Sequence, residues 1–95
     1  MLLYKQENTL MDRKECFEAA QEITLDREAS YGTPEENFTL IADLWSQYLR
    51  KRIAARDVGM MMVLLKVARL THGKHDDSLV DIAGYAAITS EVEAK

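Results

Sequence analysis

Apolar residues recur every three or four positions along most of the chain, which is the spacing of one face of an α-helix. The first such stretch covers residues 12–31, and its face carries Cys16, Phe17, Ala20, Ile23 and Thr24. Gly32 then has the place of a residue that ends a helix. Thr33, Pro34 and Glu36 follow in the order of a capping box, with proline at the first helical position. The pattern therefore predicts two helices joined by a two-residue connection.

The second predicted helix covers residues 34–52, and its apolar stripe is Phe38, Ile41, Leu44, Trp45, Tyr48 and Leu49. A third helix is predicted for residues 58–71, with Asp57 as its cap or as a first-turn residue. A fourth runs to residue 93, capped by Asp76, Asp77 or Ser78. We predict one all-α domain over residues 1–95, in which residues 1–10 form a flexible arm.

The third predicted helix differs from the others because residues 58–65 contain no charged or strongly polar side chain. A helix that is apolar on every face has to be covered all round. Three neighbouring helices in a chain of 95 residues supply too little surface for that. We therefore expect a homodimer or a larger homo-oligomer.

The composition of the chain limits which binding partners and which cellular compartment we expect. Sixteen acidic and twelve basic residues give a net charge of −4, which argues against a DNA- or RNA-coating protein but leaves room for a small phosphate-bearing ligand. The single cysteine, Cys16, cannot form an internal disulfide, and this fits a reducing cytoplasm. The longest apolar run is far shorter than a membrane span, so no membrane partner is expected.

Polar side chains at positions on the helix faces form the candidate site. Arg27 and Tyr31 continue the face of the first helix, and Asn37 lies in the first turn of the second, so all three are candidate ligand contacts. The alternative is that Arg27 only extends along the surface and Tyr31 packs against the turn. Glu36 is a candidate metal ligand, or only the third helical residue of the capping box.

Two further groups of polar residues lie on the later helices. Lys66 and Arg69 are three positions apart and could bind a phosphate, or they are the solvated end of a helix. Asp77 and Asp81, four positions apart, could hold one divalent cation, and Tyr85 lies one turn further on as a candidate ligand contact. The alternative for Asp81 is an internal ion pair with a Lys or Arg of the third helix.

These motifs together resemble a family of small uncharacterised phage and prophage proteins. The segments that carry the resemblance are YG at 31–32, ENF at 36–38, IADLW at 41–45, MMMVLLK at 60–66 and VDIAGYA at 80–86. The resemblance covers about residues 25–90 and implies a cytoplasmic protein of a phage-infected bacterium.

The segment DIAGYA at 81–86 is also similar to the metal-site helix of the MazG-like all-α nucleoside triphosphate pyrophosphohydrolases. That similarity implies Mg²⁺ bound by acidic pairs on two helices. Only Asp81 matches the pattern well, since Ser78 stands three positions before it, so Glu36 and Asp77 would complete a degenerate site. Three functions stay open: a nucleotide pyrophosphohydrolase, a non-catalytic module that binds or sequesters a nucleotide, and a purely structural oligomeric protein.

Overall fold

A computed structural model describes residues 11–73 and 76–93, and these residues form four α-helices and no strand. The helices are α1 (Arg13–Tyr31), α2 (Pro34–Leu49), α3 (Ala55–Arg69) and α4 (Asp76–Glu93), and a 3-10 turn, Leu70–His72, follows α3. The predicted all-α class with four helices is confirmed. The predicted arm, residues 1–10, lies outside the described ranges.

Side chains cap the first two helices as their sequences require. Asp12 accepts a hydrogen bond from the backbone N–H of Glu15, and the Glu15 carboxylate accepts one from the N–H of Asp12. Thr33 and Glu36 exchange the same pair of bonds at the start of α2. Gly32 between them has a φ of 89°, in the region that favours glycine, so the predicted turn between the helices is confirmed.

Three helix boundaries differ from the prediction. The second helix ends at Leu49 rather than Arg52, because Arg50 takes a left-handed conformation and the Ser46 hydroxyl binds both backbone groups of Ile53. The third helix begins at Ala55, so Asp57 is a first-turn residue and not the cap, and its carboxylate accepts from the N–H of Ala54. The fourth begins at Asp76, which places Asp77 and Ser78 inside its first turn.

Helix α4 lies at the centre of the packing, with its most extensive contacts to α3 and further contacts to α1 and α2. Val80 of α4 is fully buried against Ala19 and Ala20 of α1. A second cluster joins α2 to α3 through Phe38, Ala42 and the fully buried Val58. In contrast, α1 and α2 hardly touch each other, although only two residues connect them.

The buried faces are narrower than the sequence pattern predicted. Phe17, Leu44, Tyr48 and Leu49 were assigned to packed faces, and all four are exposed. Fewer residues make the contact: α1 is buried through the small residues Ala19 and Ala20, and α2 through Phe38 and the small residue Ala42. None of the helices in the two described ranges is long and apolar enough to cross a bilayer.

Helix α3 is buried on one side only within a single chain. Val58 and Gly59 are buried, whereas five large apolar side chains of the same helix are exposed. The prediction that this helix is covered all round is therefore not met by one copy of the chain. The homo-oligomer stays a prediction.

The approach of α3 to α4 depends on Gly59. A Cβ atom placed there would overlap Thr89 Oγ1 and meet Phe38 Cε2 at 3.2 Å. Thr89 has little freedom to move, because its hydroxyl donates to the carbonyl of Tyr85.

We predict that Gly59→Ala lowers the free energy of unfolding by about 1–3 kcal/mol, although alanine is the better helix former by about 1 kcal/mol. Chemical denaturation measures the change. Thr89→Ala removes the overlapping atom. In a Thr89→Ala background, Gly59→Ala should therefore lower the free energy of unfolding by less than it does in the parent protein. A Gly59→Ala protein as stable as the parent would contradict the packing described.

Candidate functional site

A cavity of about 410 Å³ lies in the gap between α1 and α2. The C-terminal half of α1 and the N-terminal half of α2 form its walls, and one face each of α3 and α4 forms its floor. The gap exists because Gly32 and Thr33 reverse the chain while α1 and α2 pack against α4 and α3 respectively. The volume is within the range of about 300–1,000 Å³ that is usual for small-molecule sites.

Apolar side chains make up most of the floor of this cavity. Val58 and Met62 come from α3, and Ile88 comes from α4. The rings of Phe38 and Tyr85 lie beside each other with centroids 6.5 Å apart and an interplanar angle of 30°. Phe38 is buried, so the half-buried ring of Tyr85 is the aromatic surface of this pair that a flat group can pack against.

Polar groups from α1 and α2 lie at the rim. Arg27, Tyr31 and Asn37 line the cavity here and Tyr85 lines its floor, so the structure brings together four of the six residues predicted to contact a ligand. Within residues 11–73 and 76–93, the side chains of the three rim residues make no hydrogen bond or ion pair. Asn37 is half-buried, while Arg27 and Tyr31 are exposed. Donor groups are thus available at the mouth of an apolar cavity.

Two backbone amides in the first turn of α2 already have acceptors. The N–H of Glu36 donates to the Thr33 hydroxyl, and the N–H of Asn37 donates to the Thr33 carbonyl. Pro34 has no N–H to contribute. These three positions therefore offer no free backbone N–H to an anion.

Lys66 and Arg69 do not line the cavity. Lys66 Nζ lies 3.0 Å from Asp81 Oδ2, and the two side chains are only 17% and 13% exposed. This is the internal ion pair that the sequence left open as an alternative, and it joins α3 to α4 directly below the cavity. Arg69 is exposed at the end of α3, so the structure does not assemble the predicted phosphate clamp.

The predicted magnesium ligands do not gather at one point. Asp77 and Asp81 both line a hollow of about 380 Å³ beside Arg27 and Tyr31. Glu36 is held in the capping box and lines neither space. The described part of the chain contains no group of three Asp, Glu, His or Cys side chains arranged to hold a metal ion. The predicted set of three ligands is therefore not assembled in the described residues, and magnesium bound by Asp77 and Asp81 stays a prediction.

Several residues of the site were not singled out as site residues in the sequence. Thr24 and Glu28 of α1 line the cavity, and they lie three positions before Arg27 and Tyr31 respectively, a spacing that helical periodicity could have indicated. Gly84 of α4 lines it as well, and a Cβ there would lie 3.1 Å from Thr24 Cγ2. Because residue 84 has no side chain, α1 can lie close to α4 beside the cavity.

The helices and this site define a small all-α domain with a polar-rimmed apolar cavity between its first two helices. The chain belongs to the family described as Domain of unknown function (DUF6378), whose profile matches residues 15–93. It is 45% identical over 76 residues to the Gene 55 protein of Mycobacterium phage D29, and 42% identical over 77 residues to the Gene 55 protein of Mycobacterium phage L5.

Each alignment covers 79% of the chain, and the chain spans about half the length of these curated relatives, 50% and 49% respectively. No solved structure matches the chain. The predicted membership of a phage protein family is confirmed. The more distant likeness to MazG-like enzymes stays a prediction.

The Lys66–Asp81 pair predicts a measurable coupling between α3 and α4. Lys66→Met leaves a largely buried carboxylate without its partner and should lower the free energy of unfolding by about 1–4 kcal/mol. Lys66→Met combined with Asp81→Asn should cost less than the sum of the two single changes.

A matched control is the pair of Lys14 and Glu18 on α1, 3.2 Å apart, whose side chains are 80% and 61% exposed. Lys14→Met should change the free energy of unfolding by less than about 0.5 kcal/mol. Equal effects of the Lys66 and Lys14 substitutions would mean that the α3–α4 pair is not protected from solvent.

Proposed function

We propose that this domain binds a nucleotide in the cavity between α1 and α2 and holds it without requiring catalysis. The observation that carries the proposal is the meeting of three polar side chains that lack partners in the described residues, Arg27, Tyr31 and Asn37, above an aromatic and apolar floor. A ligand that fits both the apolar floor and the polar rim has a flat hydrophobic group on one side and a hydrogen-bonding or anionic group on the other.

The aromatic side chain in the floor explains why the ligand would have a flat group. The half-buried ring of Tyr85, which lies beside the buried ring of Phe38, offers a surface on which a nucleobase can pack, and contacts of this kind are worth about 1–3 kcal/mol per base. Asn37 projects from the adjoining wall, and its amide carries both a donor and an acceptor for the edge of a base.

The rim accounts for the anionic group. Arg27 presents a guanidinium that can form two parallel hydrogen bonds with a phosphate. Asp81 also lines the cavity, but the ammonium of Lys66 at 3.0 Å offsets its charge. Arg27 is therefore the cation best placed in the described residues to receive a phosphate at this rim.

The binding proposal is tested by thermal melting with nucleosides, nucleoside monophosphates and nucleoside triphosphates, each with and without Mg²⁺. At least one compound should raise the melting temperature by roughly 5 °C or more at saturation, because it binds only the folded state. Chromatography afterwards should recover the ligand unchanged.

The substitution Arg27→Gln should weaken binding of that compound by about 10- to 100-fold, the usual loss for a hydrogen bond to a charged group. Arg13→Gln serves as the matched control, because Arg13 is exposed at the opposite end of α1. If no compound shifts the melting temperature, or if both variants bind equally well, the cavity is not a nucleotide site.

A second function, a MazG-like nucleoside triphosphate pyrophosphohydrolase, is favoured by one observation. Asp77 and Asp81 line one hollow next to Arg27, so two carboxylates and a guanidinium from α4 and α1 face the same space. The similarity of residues 81–86 to the metal-site helix of those enzymes points the same way.

The hydrolase proposal predicts that pyrophosphate appears when the protein is incubated with a panel of nucleoside triphosphates and Mg²⁺. Asp77→Asn should then reduce the rate by at least about 100-fold, whereas substitution of the exposed Asp43 by Asn on α2 should leave it unchanged. Absence of pyrophosphate at protein concentrations close to that of the substrate would exclude this function and leave the binding proposal intact.

A further inference from the structure

Helix α3 carries an uninterrupted apolar surface on the side that faces away from the other helices of the described residues. We call it the outer face of α3, and it consists of the exposed side chains Met60, Met61, Leu64, Leu65, Val67 and Ala68. Lys66, the charged residue within this stretch, points to the opposite side, where it pairs with Asp81. The outer face is therefore free of charge over two turns of helix.

The size of the outer face is large for so small a chain. Leu64 at its centre is 63% exposed, and the six side chains together present roughly 400 Å² of apolar surface, comparable with the largest patch on a typical monomer. A standard interface buries about 800 Å² on each partner, with an apolar centre inside a polar rim. The outer face has the right scale for the centre of such an interface.

The spacing of these residues is that of a helix that packs against another helix. Met60, Leu64 and Val67 follow one another at intervals of four and three positions, which is the spacing of the seam between two helices that cross at a shallow angle. Met61, Leu65 and Ala68 repeat the same intervals one position later. A groove for an irregular peptide needs no such repeat.

We propose that a second copy of this chain covers the outer face of α3, so that two α3 helices pack antiparallel about a two-fold axis near Leu64. A two-fold axis brings each residue close to its own copy, and a face without charge can meet itself without like-charge repulsion. The antiparallel arrangement also brings the positive N-terminal end of one helix dipole near the negative C-terminal end of the other.

The dimer does not depend on the proposed nucleotide site. Val58 and Met62, which line the cavity, project from the side of α3 opposite Met60 and Leu64. A partner on the outer face consequently leaves the mouth between α1 and α2 open. Loss of the dimer and loss of ligand binding can then be observed separately.

Sedimentation equilibrium of the 95-residue chain tests the proposal. The parent protein should be a dimer at about 10 μM, and Leu64→Glu should weaken association by at least about 100-fold, since it places two like charges at the axis. Leu25→Glu is the matched control, because Leu25 is 60% exposed on α1, nearly as exposed as Leu64. That variant should remain a dimer. Circular dichroism checks that both variants are folded.

Cross-linking provides a second test that does not introduce a charge. In a Cys16→Ser background, Leu64→Cys should form a disulfide-linked dimer with oxidised glutathione, because residues at the axis come within the distance of about 7 Å that a disulfide requires. Leu25→Cys in the same background should not. A monomeric parent protein, a Leu64→Glu dimer of unchanged affinity, or equal loss in the Leu25→Glu control would each overturn the proposal.

Discussion

The contact between α3 and α4 determines where the other two helices of the described residues lie. The two helices come close because Gly59 has no side chain to collide with Thr89, and the Lys66–Asp81 pair joins them further along the same contact. Together they form the platform against which α1 and α2 pack separately. Since α1 and α2 contact the platform rather than each other, a cavity remains between them.

This arrangement explains why the charged and polar residues divide into two groups. Lys66 and Asp81 lie within the platform and satisfy each other, so they serve first to hold two helices together. Arg27, Tyr31 and Asn37 lie on the walls, where the described residues provide them with no partner. The proposed ligand would supply these missing partners, and the proposed second chain would supply the missing cover for α3.

The sequence predicted the features that depend on neighbouring residues. The turn at Gly32 and Thr33 follows from capping chemistry within four positions, and it brings Arg27, Tyr31 and Asn37 to one place, as their helical spacing indicated. The sequence left the ion pair between Lys66 and Asp81 as only one of two interpretations, because this pairing depends on how α3 and α4 are aligned. The wrong assignments, such as Tyr48 at 87% exposure, arose because the side of a helix that packs is decided by its neighbours. Periodicity alone does not contain that information.

If the cavity between α1 and α2 is the ligand site, its wall residues make the contacts with the nucleotide. Titration of the ¹⁵N-labelled protein with a panel of nucleotides, followed by amide chemical shifts, locates the binding site residue by residue. We expect saturable shifts for the side-chain amide of Asn37 and the backbone of Gly84, with little change at Leu64 on the far side of α3. Shifts absent from Asn37 and Gly84 with every nucleotide, or centred on α3's outer face, would contradict this expectation.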